Sequence, residues 1–225
     1  MIVHSPYEAE QGTEAWLKLR MGKVTASELG NLITDTGSLR KRDAGMRMTY
    51  IYGKCAEAFR GQALPGFSSF VTEQGIELEL QARATLSDIL KSEIAHVGFV
   101  EREDMPLGCS PDGVIYDGAG FMLTGCEIKC PQPVNACRWA VESKLDANDF
   151  GAPPAEHALQ VQCSMLVCEV PFWIFYSHSQ SLPCVAMKVR PDFELHATIQ
   201  KAAALFKEDF DECMEKLNSL RAREL

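Results

Sequence analysis

The 225-residue chain has no Cys-x-x-Cys pair, and its nine cysteines are odd in number; the nearest spacings are Cys126/Cys130 and Cys163/Cys168. Free thiols in a reducing, cytoplasmic setting, and not a disulfide framework, are therefore the expectation. Long apolar runs are also missing. The longest, around Leu166 to Tyr176, is broken by Glu169 and Pro171, which is too short for a membrane span. Met1-Ile2-Val3-His4-Ser5-Pro6 lacks the basic-then-apolar order of a signal peptide. No linker or low-complexity stretch divides the sequence, so a single domain over residues 1–225 is expected, long enough to bury one sizeable core. Positive charge is the scarcest commodity: 22 basic against 31 acidic residues leave a net charge of −9. Such a chain repels a polyanion at long range unless its basic residues are gathered where the polyanion sits.

They are gathered in sequence. Residues 18 to 54 hold Lys18, Arg20, Lys23, Arg40, Lys41, Arg42, Arg47 and Lys54 against only Glu28, Asp35 and Asp43. That asymmetry suits one basic surface presented to nucleic acid, although Arg40-Lys41-Arg42 alone also reads as a solvated loop tip.

Periodicity orders the elements. Thr13–Arg20 has helical spacing, and Thr25-Ala26-Ser27-Glu28 has the form of a capping box opening a second helix that ends near Ile33. Met46–Arg60 reads as a helix closed by Gly61, and Ser69–Leu90 as a longer one. Strands follow at Ile94–Glu101, Gly113–Tyr116 and Phe121–Lys129, then helices at Val134–Lys144 and Ala155–Val167. Phe172–Ser177 and Cys184–Val189 form a strand pair, and Phe193 to Leu217 repeat apolar residues at helical intervals. The order implies an α/β fold with a mixed central sheet flanked by helices.

Chemistry concentrates at one hairpin. Pro111-Asp112 precedes a strand, Asp117-Gly118-Ala119-Gly120 supplies a turn, and the returning strand ends in Glu127-Ile128-Lys129. Alternation along that strand places Glu127 and Lys129 on one face and Ile128 on the other. Two carboxylates are ligands for a hard cation such as Mg²⁺, leaving positions for water and a phosphate, while a lysine offsets charge on the transition state. An isolated Glu-x-Lys on a strand is more often an exposed ion pair.

The surrounding motifs add to this. Cys109-Ser110-Pro111-Asp112-Gly113 with Glu127-Ile128-Lys129-Cys130-Pro131 resembles the PD-(D/E)xK nuclease core of the lambda exonuclease and YqaJ-type viral recombinase family. Glu14–Arg20 continuing to Val24-Thr25-Ala26-Ser27-Glu28 resembles that family's opening motif, Gly75–Glu79 its acidic helix, and Leu159-Gln160-Val161-Gln162 its paired-glutamine helix. The resemblance implies a restriction-endonuclease-like fold and a 5′→3′ exonuclease acting on double-stranded DNA ends to leave a 3′ overhang for recombination. It implies Mg²⁺, with Mn²⁺ as substitute, held by Asp112, Glu127 and the Ile128 carbonyl, and catalysis by Asp112, Glu127, Lys129, Glu79 and Gln160. It further implies a terminal-phosphate pocket of Arg20, Ser27 and Thr25, with Met46 as a wedge against the duplex. The family arginine that follows Cys-Pro aligns with Asn135 here; either Arg138, one helical turn on, replaces it or the pocket is weaker. A homotrimeric ring and a single-strand annealing protein as partner follow from the same resemblance, as does an origin in a phage or prophage. Two other readings stay open from the residues: a PD-(D/E)xK endonuclease or opposite-polarity exonuclease, and a non-catalytic DNA-end-binding scaffold. His157, on the Gln160 face of its helix, is a substrate contact or a structural histidine.

Overall fold

The computed structural model describes residues 9–64 and 73–223. Helix α1 (Glu14–Arg20) is capped by Thr13, whose hydroxyl accepts from Trp16 N–H, and leads through the two-residue strand β1 (Val24–Thr25) into a 3₁₀ helix, Ala26–Asn31. Helix α2 (Gly45–Arg60) ends at Gly61, whose φ of 66° is the left-handed conformation that glycine adopts without a Cβ penalty. Helix α3 spans Glu73–Leu90; the expected start at Ser69 lies outside the described residues.

Two sheets follow. A small one has the order β1-β3-β2, with β2 at Val100–Glu101 and β3 at Leu107–Cys109. The central mixed sheet has the order β4-β5-β6-β7: Gly113–Tyr116, Met122–Lys129, Trp173–Ser177 and Val185–Val189. Strands β4 and β5 form the predicted antiparallel hairpin, β5 and β6 are parallel, and β6 and β7 are antiparallel. Parallel neighbours need a crossover, supplied here by α4 (Pro133–Glu142) and α5 (Ala155–Cys168). Helix α6 (Phe193–Arg221) closes the chain's core, with Asp192 as N-cap.

Position α5 explains the layering. Residues 161 to 168 are all buried, because this helix packs on β5, β3, α6 and the 3₁₀ helix at once. On the opposite face of the central sheet, Ala82 and Leu86 of α3 pack on Cys126, Ile128, Ile174 and Tyr176. Strand β5 is therefore covered on both sides, and anything polar on it is drawn out of water.

Some expectations change. The stretch 94–101 is strand only at Val100–Glu101, with Ala95 bridging Val114. The capping box does not close: the Thr25 hydroxyl donates to Glu28 Oε2 at 2.7 Å, and the helix it opens is a 3₁₀ turn ending at Asn31. Among the described residues no helix is long and apolar enough to cross a membrane.

The basic segment is largely neutralised within the chain. Lys18 pairs with Glu14, Lys23 with Glu101, and Lys54 with Glu28 and Glu57. Arg42 and the buried Arg47 both reach Asp209 of α6, and Arg40 Nε donates to the Gly30 carbonyl. The sequence places these cations together, but four of the eight, Lys23, Arg42, Arg47 and Lys54, face acids brought in by other elements.

Candidate active site

The Pro111-Asp112-Gly113 turn is built by local constraint. Asp112 N–H donates to the Cys126 carbonyl at 3.1 Å, and Ile128 N–H donates to Asp112 Oδ2 at 2.6 Å, so the first acid is bolted to β5 by backbone and side chain. Gly113 admits this close approach because a Cβ there would collide with Ile94 Cγ2. Alternation on β5 is as expected: Ile128 packs towards α3, while Glu127 and Lys129 take the other face and form an ion pair. Glu127 is only 1% exposed. Gln160, from α5, lies close enough to its carboxylate to lower its proton affinity.

Backbone direction adds a further oxygen. N–H and C=O groups of alternate strand residues point to opposite neighbours. The Cys126 carbonyl faces Asp112 and the Lys129 carbonyl accepts from His178 N–H at 2.8 Å on the β6 side. The Ile128 carbonyl therefore faces the Asp112 side, beyond the end of β4.

Electrostatics mark these residues as one cluster. Burial, then the Glu127 and Glu79 charges, push the Asp112 carboxyl well above its usual range, against the opposing pull of Lys129. Burial raises Glu127 as well, opposed by Lys129. Burial alone would depress the Lys129 ammonium, but Glu127, Asp112 and Glu79 outweigh it and raise its pKa, so this lysine is a cation and not a base at neutral pH. Glu79 of α3 ion-pairs with Arg83 at 2.6 Å and acts on all three groups.

Among the described residues no three His, Cys, Asp or Glu side chains close on a single point as a metal group. The available donor set is two carboxylates and one backbone carbonyl, all oxygen, which is the chemistry of a hard divalent cation that keeps several waters. The set fits such an ion on a second ground: two buried carboxylates whose proton affinity is raised are those that a cation would relieve.

The expected terminal-phosphate residues lie elsewhere, with unequal support. Arg20 stacks over the Trp16 ring at 4.1 Å and donates to Thr25 Oγ1 at 3.4 Å. Its neighbours are Glu28, Tyr50 and Glu57; Lys54 bonds Glu28 at 2.9 Å, and Tyr50 OH donates to Glu28 at 3.1 Å. A water-sized void of about 10 Å³ lies between Arg20, Glu28, Lys54 and Glu57. Thr25 is buried with its hydroxyl already engaged by Glu28, and Ser27 is exposed on the 3₁₀ helix. Arg138 pairs with Glu156 at 2.7 Å beside an open groove of about 300 Å³. Met46 is 57% exposed at the start of α2.

His157 is held among aromatics, stacked on Phe175 and edge-on to Trp139. Burial and the Lys129 charge bring its pKa down to about 4. The paired glutamines divide their work: Gln160 faces Glu127, while Gln162 accepts from Asp192 N–H and donates to the Arg190 carbonyl, fixing the entrance to α6. Sequence reasoning missed Gln11 and Trp16, whose side-chain donors reach the turn before Asp112. Trp16 falls inside the opening motif, which was the available signal.

Comparison with known proteins gives a consistent result. The profile of the YqaJ-like viral recombinase domain matches residues 15–171. An alkaline exonuclease from Laribacter hongkongensis, LHK-Exo, is similar in two crystal structures. The complex with dAMP is 25% identical and the other structure 24%; each gives a TM-score of 0.76 over 95% of this chain and all of the other. A phage related exonuclease from Haemophilus somnus 129PT, 14% identical, gives a TM-score of 0.58 over 87% of this chain and 96% of its own, a likeness of fold alone. No curated protein matches. The architecture is the restriction-endonuclease-like one, a mixed sheet with helices on both faces.

Proposed function

Because this chain belongs to the family of YqaJ-like viral recombinase domains, we propose that it is a Mg²⁺-dependent 5′→3′ exonuclease on double-stranded DNA ends, leaving a 3′ overhang for homologous recombination. The observation that carries this reading is the oxygen set of Asp112, Glu127 and the Ile128 carbonyl, with cationic Lys129 beside it, at the end of a strand buried on both faces. The similar alkaline exonuclease is described in complex with dAMP, the kind of mononucleotide such an enzyme releases.

Asp112 and Glu127 would hold the cation as carboxylates, against burial that raises the proton affinity of both. When bound, Mg²⁺ supplies Lewis acidity towards the phosphate and an activated water. Lys129, protonated, would orient the attacking water and offset charge as it adds to phosphorus. Gln160 keeps the Glu127 carboxylate in place, and Glu79 adds an acid at the edge of the cluster. The phosphorus–O3′ bond breaks, the 3′ oxygen leaves with the released nucleotide, and the shortened strand begins with a new 5′-phosphate. Arg20, with the Ser27 hydroxyl, receives that phosphate through a planar fork, and Thr25 shapes its surroundings. Arg138 takes the place of the pocket arginine absent at Asn135, and Met46 wedges the duplex. The chain acts as one exonuclease domain over 1–225, in a homotrimeric ring with a single-strand annealing protein as partner, in the cytoplasm of a phage-bearing host. Mn²⁺ substitutes for Mg²⁺.

Linear duplex carrying a label at either end, with 5′-phosphate or 5′-hydroxyl, digested with Mg²⁺, Mn²⁺ or chelator, tests the reading. Metal-dependent release of the 5′ label first is expected. Earlier release of the 3′ label reverses the polarity, cutting of closed circles indicates an endonuclease, and binding without release makes the chain an end-binding scaffold.

A further inference from the structure

Helix α1 and the residues leading into it grip the turn that carries Asp112. Gln11 Nε2 donates to the Val97 carbonyl at 3.2 Å and to the Pro111 carbonyl at 3.1 Å. Trp16 Nε1 shares its proton between the Gly98 carbonyl at 3.0 Å and Ser110 Oγ at 2.9 Å. The acceptors lie on two stretches, 97–98 and 110–111, that the paired Ala95 and Val114 backbones tie together. None of these bonds ends on a carboxylate. Two of them end on the Pro111 carbonyl and the Ser110 hydroxyl immediately before Asp112, whose own N–H and carboxylate are fixed to β5. The Asp112 turn is thus held from two sides, by β5 and by α1. The same Trp16 ring carries the Arg20 guanidinium at 4.1 Å.

We propose that Gln11 and Trp16 are positioning residues for the metal site. They hold Ser110 and Pro111 so that the Asp112 carboxylate meets Glu127 in a geometry ready for a divalent cation. Through its ring, Trp16 also joins the Arg20 phosphate contact to that turn, so the two halves of the site share one support. The inference rests on the reading of the chain as a metal-dependent nuclease.

The test uses Trp16→Phe, which keeps a ring under Arg20 and removes only the donor, and Gln11→Met, which keeps length and removes both donors. Binding of Mn²⁺ to the full chain without DNA is measured by calorimetry, beside the thermal unfolding midpoint in chelator and steady-state kinetics on linear duplex. Groups that orient metal ligands typically change metal affinity roughly ten- to hundredfold when removed. A loss of that order in Mn²⁺ affinity is expected in either variant. Lower kcat at limiting metal should be rescued by added metal, with KM for DNA ends within about twofold of wild type. Should Trp16→Phe unfold below the assay temperature, Gln11→Met and Ser110→Ala, each deleting part of the grip, decide by the same titration. Folded variants with wild-type Mn²⁺ affinity overturn the inference and leave the nuclease reading standing. Wild-type protein that binds no metal overturns the nuclease reading first, and the inference with it.

Discussion

Two regions of this chain bury charge, and they do so in opposite ways. Between α2, α6 and the 3₁₀ helix, Lys54 is 3% exposed and sits with Glu28 and Glu57, and Arg47, equally buried, meets Asp209. There each cation has its acid and the set is balanced with Arg20. Around β5, Asp112, Glu127 and Glu79 face Lys129 and Arg83, so one negative charge is left over and both β5-side carboxyls hold their protons more tightly than in water. Pairing within the chain makes a scaffold; a surplus of one sign makes a site that waits for something outside it. Burial alone does not separate the two.

The sharpest way to break this comparison is Asp112→Asn. Nuclease turnover should fall on the order of a thousandfold, measured as nucleotide release from linear duplex. Metal-free stability should move the other way. A carboxyl whose folded pKa is raised contributes stability that is fully present below its unfolded pKa, near 4, and is lost as pH rises. The metal-free variant should therefore unfold a few degrees above wild type at neutral pH, with the gap closing towards pH 4. A metal-free variant less stable than wild type at neutral pH would mean that the Asp112 charge is paired after all.

Lys54→Met tests the balanced region. It leaves Glu28 and Glu57 without their cation and should cost about 3–5 kcal/mol in denaturant unfolding. A cost below about 1 kcal/mol would show that water, not Lys54, satisfies those acids.

Arg20 stands between the two regimes, and its substitution sharpens the boundary. Losing a charge-assisted contact to a terminal phosphate costs roughly 1.5–3 kcal/mol, so Arg20→Ala should slow digestion of 5′-phosphorylated ends about ten- to hundredfold. Ends with a 5′-hydroxyl should slow much less. Equal slowing of both would return Arg20 to the balanced scaffold.

The smallest effect concerns His157. Its pKa, brought down to about 4, lies below the unfolded value near 6.5, so its neutral form contributes stability above pH 6.5 that is lost as pH falls towards 4. His157→Gln should flatten the stability profile over that window by about 1 kcal/mol after solvent screening. An unchanged profile would place the acid sensitivity in other groups.

Local pattern carried most of the fold. The hairpin of β4 and β5, the Gly61 stop of α2, the start of α6 and strand β7 are short-range signals, each within a residue or two of where periodicity puts it. What was illegible depends on distant partners. Val24–Thr25 becomes strand only because it pairs in parallel with Leu107–Gly108, and two or three residues leave no periodicity to read. Arg42 and Arg47 look like a DNA-facing surplus until Asp209 arrives from α6. In the site, alternation foretold that Glu127 and Lys129 share a face, whereas the reach of Gln160 to Glu127 needed the crossover that brings α5 over β5. The grip of Gln11 and Trp16 on the Asp112 turn carries no local signal, since its bonds span 82 to 100 residues.

That span sets an order of events during synthesis. At about 5–20 residues per second the N-terminal helix leaves the ribosome several seconds before the turn it will hold. Until that turn and strand β6 have emerged, α1 has nothing to grip and β5 lacks its parallel neighbour. A nascent chain therefore lacks an assembled acid cluster until β6 has paired with β5.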